Sequence, residues 1–82
     1  MNGIIVAINP RNGFYAAKLE SGEFAVFELV DSHEPELGDA VSGELEALGS
    51  ETLLNETQRT RFDVFMQDTH CSESRARQML NL

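Results

Sequence analysis

The chain has 82 residues, 41% hydrophobic and 24% charged, with a formal net charge of −8. That length closes one core and leaves nothing for a second domain, and the composition excludes a disordered or low-complexity chain. Cys71 is the only cysteine, which excludes an intrachain disulfide and a four-cysteine zinc site. The longest apolar run, Ile4 to Ile8, is far short of the roughly 20 residues a membrane span needs.

The charge is unevenly spread. No Lys or Arg occurs between Leu19 and Gln58, so the middle of the chain is a solid acidic block. Nucleic-acid affinity comes largely from basic side chains displacing counterions, so such a chain repels phosphate at long range. The lone cysteine and the lack of a signal-peptide pattern after Met1 point to a reducing, cytoplasmic location.

In chain order, Ile4-Ile5-Val6-Ala7-Ile8 is a β-branched run, and Arg11-Asn12-Gly13 follows as a tight reversal. Phe14 to Leu19 and Phe24 to Val30, separated by Ser21-Gly22, predict two further strands in an antiparallel meander. On the third strand, alternation turns Ala25, Phe27 and Leu29 inward and Phe24, Val26 and Glu28 outward. Asp31 to Leu37 has loop composition. Ala40 to Leu48 holds good helix formers at Glu44 to Leu48, but Gly43 and Gly49 would weaken a helix and favour a fourth strand.

Gly49-Ser50-Glu51 reads as a turn and Thr52 to Asn55 as a short return or irregular segment. Arg61 to Gln67 is the last predicted strand, with Phe62, Val64 and Met66, or their neighbours, facing inward, because one residue of slip reverses the choice. Ser72 then caps a helix over about 72–81. Its Ala76, Met79 and Leu80 lay an apolar stripe on the barrel, suited to plugging an open end. The expected architecture is all-β: a five-stranded antiparallel barrel over about 3–67 with a short C-terminal helix, monomeric and in no contact with membranes.

Gly3-Ile4-Ile5, Asn12-Gly13-Phe14, the run Phe24 to Val30, Gly38-Asp39-Ala40-Val41, Gly49 and Asn55 together resemble the cold-shock domains and related RNA-binding repeats of ribosomal proteins. The resemblance covers about residues 3 to 67 and implies an OB fold. It also implies single-strand binding by bases stacked on aromatic side chains of strands two and three. Phe14 matches the first stacking aromatic, but Ala16 stands where a second is expected. Val26 and Glu28 stand where the family has Phe and His, and the tryptophan of strand one is missing. Each lost partner removes roughly 1–3 kcal/mol per base, so three losses together are enough to erase micromolar affinity.

Two other groups of residues carry chemistry in principle. His33, Glu34 and Glu36 share a loop, but one imidazole with flexible carboxylates reads as a solvated acidic loop rather than a metal site. Asp68, His70 and Cys71 cluster after the last strand without an evident orienting partner, and Cys71 reads as a small packed residue. No enzyme activity, metal or nucleotide cofactor is expected.

The expected function is an acidic OB-fold binding module that takes single-stranded RNA or DNA weakly, through Arg11, Phe14, Tyr15, Lys18 and Phe24. The alternative is a protein-interaction adaptor whose acidic block docks on a basic protein. The position of Phe14 and Phe24 separates the two readings. Exposed beside Lys18 they favour nucleic acid, and covered by the C-terminal helix they favour the adaptor.

Overall fold

The structure, a computed structural model, describes residues 1–82. Six strands and one helix follow in chain order: β1 (Asn2–Asn9), β2 (Phe14–Leu19), β3 (Phe24–Leu29), β4 (Ala40–Ser42), β5 (Gly49–Asn55), β6 (Thr60–Cys71) and α1 (Glu73–Leu80). The strands close into a barrel in the order β1-β2-β3-β6-β5-β4, every neighbouring pair antiparallel. The meander forms as its turn chemistry predicts. Gly13 takes a φ of 72°, and its N–H donates to the Asn9 carbonyl at 3.0 Å to close the β1–β2 reversal.

The period-two pattern sorts the side chains. Tyr15, Ala17 and Leu19 from β2, Ala25 and Phe27 from β3, and Phe62, Val64 and Met66 from β6 enter one interior with Ile5, Val41, Leu45 and Leu53. Tyr15 stacks on its cross-strand partner Phe27 with rings 5.4 Å apart and 4° from parallel, and Phe27 meets Phe62 at 6.0 Å.

The barrel has six strands, not the expected five, and the difference lies entirely in residues 40–55. Gly43 adopts a φ of 135°, and a Cβ there would lie 3.0 Å from the Leu53 side chain, so the fourth strand stops at Ser42. The chain then loops out and drops Leu45 into the core before re-entering as β5. The Gly49–Asn55 segment, expected as a turn and then a short return or irregular segment, pairs along its whole length with β6. β6 also runs four residues beyond its expected end, through a positive-φ His70.

One end of the barrel is closed by a polar knot. The buried Asp39 carboxylate accepts hydrogen bonds from the Asn55 amide at 2.8 Å, the Gln58 amide at 2.9 Å and the Glu36 N–H at 2.9 Å. Burial pushes the Asp39 carboxyl up, but these donors outweigh it and hold the pKa below its ordinary value. His33 joins from the loop, 3.3 Å from the Asn55 amide and with its ring 5.6 Å from that of Phe62. It therefore belongs to the barrel closure. No helix is long and apolar enough to cross a membrane.

Candidate interaction surface

The outward face of β1, β2 and β3 is ordered in cross-strand rows. Lys18 lies opposite Ile4 and Phe24, Ala16 opposite Ala7 and Val26, and Phe14 opposite Asn9 and Glu28. The middle row is built from small and branched side chains, which leaves a shallow apolar seat between the two aromatic residues. α1 fills it. Ala76 and Leu80, four residues apart on one helix face, are buried against Ala16 and Val26, with Ala7, Phe14, Phe24, Cys71 and Met79 packed around them. The helix thus lies on the side of the barrel rather than plugging an end.

Local chemistry holds α1 in place. The Ser72 hydroxyl accepts the Arg75 N–H at 3.1 Å as N-cap, and Asn81, at a φ of 63°, donates its N–H to the Arg77 and Gln78 carbonyls at the other end. The Asn9 side chain donates to the Leu80 carbonyl at 2.6 Å, and Arg75 lies 3.5 Å from Asp68. Beside the helix an open gap of about 240 Å³ remains, bordered by Val6, Ala16, Lys18 and Phe24 from the sheet and by Ala76 and Arg77 from α1.

The five residues expected to bind nucleic acid do not form one platform. Arg11 is exposed on the β1–β2 turn and Lys18 is exposed on β2, but Phe14 and Phe24 are half-buried against the α1 cluster, on opposite sides of the Ala16 row. Tyr15 points the other way, into the interior at 5% exposure. Burial, then the neighbouring Glu34 charge, pushes its hydroxyl pKa up. Of Phe62, Phe65 and Met66, which the sequence offers as either a binding stripe or core, only Phe65 is exposed. It stands 43% exposed on β6, between Glu28 and Ser50, at an outward position that follows once Phe62, Val64 and Met66 are known to face inward.

The Asp68, His70 and Cys71 group does not converge. The His70 imidazole bridges Glu23 at 2.9 Å and Glu46 at 2.6 Å, tying the β2–β3 turn to the β4–β5 loop. Both carboxylates raise its pKa, Glu23 foremost. The Cys71 thiol donates to the Phe24 carbonyl at 3.3 Å, and burial, followed by the Asp68 charge, pushes its pKa up, away from the reactive thiolate.

On the far side of Lys18 from α1, Ile4 and Val6, 44% and 43% exposed, line an open groove of about 640 Å³ with Glu20, Ala40 and Glu56 at its border. The exposed loops of the middle of the chain carry Glu34, Glu36, Glu44 and Glu46 beside the exposed Val30, Leu37 and Leu48, with no Lys or Arg among residues 20–57. Comparison with protein-family models, with curated proteins and with solved structures finds no match for this chain.

Proposed function

We propose that this barrel is a protein-interaction module, without enzyme activity, whose acidic surface docks on a basic protein. The observation that carries the reading is α1 lying over Ala16 and Val26, between Phe14 and Phe24. Stacking a base needs an open aromatic face, and here the face is apolar, narrow and already occupied. Glu28 beside Phe14, and a net charge of −8, repel phosphate from what remains.

The strand order supports kinship with OB folds. A three-strand meander is followed by a last strand that inserts beside the third, while an earlier strand returns to pair with the first. The likeness to cold-shock domains is then one of scaffold, with the nucleic-acid face given over to a helix.

Titration of labelled single-stranded RNA and DNA at low salt tests the reading. No binding is expected. Binding that Phe14→Ala abolishes would return the module to nucleic-acid recognition. The tagged chain is expected to retain a basic protein after nuclease treatment and to release it as salt is raised, since exposed charge pairs are screened within about 10 Å at 0.1 M.

A further inference from the structure

The barrel interior and the α1 seat are separate apolar clusters. Ile5, Tyr15, Phe27, Leu53 and Phe62 belong to the first, and Ala16, Val26, Ala76 and Leu80 to the second. Removing α1 therefore opens the seat without opening the core. Eight residues of helix are not stable alone in water, where about 12–15 are needed even for good helix formers, so α1 keeps its shape only while docked. Beyond its two buried side chains, its direct polar ties to the barrel are the Asn9 contact and the Arg75–Asp68 pair. A gap open to solvent remains beside Ala76, between α1 and Val6, Lys18 and Phe24.

The charges complement one another. α1 carries Arg75 and Arg77, two of the chain's six basic residues, against one carboxylate, Glu73. The barrel beneath holds Glu28 and Asp68 at the edges of the seat, with Lys18 as the neighbouring cation.

We infer that the α1 seat is a receptor for a basic amphipathic helix of a partner protein, with α1 as its resident competitor. This rests on the protein-interaction reading and names its site. The incoming helix repeats the Ala76–Leu80 spacing and places a larger apolar side chain where Ala76 leaves the gap. It sets Arg or Lys against Asp68 and Glu28. α1 swings out about the junction of Cys71 and Ser72, where β6 ends. The seat is then filled from outside by helix-in-groove docking.

The test uses the full chain with Leu80→Asp, which expels α1 by burying a charge, and a labelled synthetic peptide carrying this chain's residues 72–82. The peptide is expected to bind the variant at least roughly tenfold more tightly than the unaltered chain, where α1 competes at high effective concentration. Placing Ala76→Leu in the peptide tightens binding further, and adding Ala16→Phe to the protein abolishes it. Absence of binding to Leu80→Asp overturns the inference.

Binding indifferent to Ala16→Phe also overturns it, while leaving a general acidic docking surface intact. A single-stranded oligonucleotide seating on Leu80→Asp overturns both. Should Leu80→Asp fail to fold, amide exchange on the unaltered chain decides. Residues 76–80 are expected to exchange at least roughly a hundredfold faster than Phe62 to Met66. Equal protection means that α1 opens only with the barrel, and the seat is no receptor.

Discussion

The barrel interior and the α1 seat are both apolar and both buried at their centres, yet they are held by different means. Twelve interior residues come from strands and loops spread over the whole chain, and each is locked by strands that are themselves paired on both sides. The seat has four buried residues, two of them supplied by one short terminal helix. Strands paired on both sides open together, whereas a short terminal helix with few contacts belongs to the low-stability end of a structure. The interior therefore carries most of the fold's stability, and the outer face of β1 to β3 carries the part expected to open first.

The sharpest way to break that contrast is to cut each cluster in turn. Phe27→Ala, which removes the ring stacked on Tyr15 and tilted against Phe62, is expected to cost about 3–5 kcal/mol in denaturant unfolding. That is a large share of a small domain's total, and a loss below about 1 kcal/mol would show an interior with slack. Asn55→Ala comes next, at about 1–3 kcal/mol, because the buried Asp39 loses one of three donors and the Gln58 N–H loses its acceptor. Its loss reads in the same global transition, since the knot closes the barrel end.

Leu80→Ala is expected to cost about 1–2 kcal/mol, less than the 2–5 usual for a buried leucine, because α1 undocks instead of leaving a cavity. Its signature is faster amide exchange concentrated in α1, with the barrel transition shifted less than by Phe27→Ala. A loss as large as that of Phe27→Ala would merge the two clusters into one.

The smallest expected effect belongs to the surface bridge at His70. Its folded pKa lies above the ordinary 6.5, so the charged imidazole between Glu23 and Glu46 stabilises the fold fully below about pH 6.5. That contribution disappears as pH rises through the raised folded value. Melting temperature followed from pH 6 upward should fall slightly, and His70→Gln should flatten this slope. Asp39 acts in the opposite direction. Its lowered pKa contributes stability above the ordinary 3.8 that is lost as pH falls through the folded value, and Asn55→Ala weakens this acid arm.

Local pattern made much of the fold legible. Period-two alternation and Asn-Gly turn chemistry placed the first three strands, and the Ser72 cap with Ala76, Met79 and Leu80 placed the helix, because those signals act over a few residues. Alternation also held the clue that Tyr15 is interior, since it shares the parity of Ala17 and Leu19. The split of residues 40–55 into two strands was not legible. Position 43 has no room for a side chain because Leu53, ten positions on, packs where a Cβ would lie, and the inward-facing Asn55 is satisfied only because Asp39 and Gln58 meet it there.

Ala16 and Val26 mark the same boundary in the candidate site. From the chain alone they count as aromatic positions lost from a stacking surface, and in the fold they form the floor on which Leu80 and Ala76 rest. The sequence by itself determined which residues alternate, where the chain turns, and that the barrel is acidic, since these are properties of neighbours along the chain. Only the tertiary structure decided that the C-terminal helix covers the outer face of β1 to β3. That outcome depends on the shape left between strands far apart in sequence, which no local period encodes.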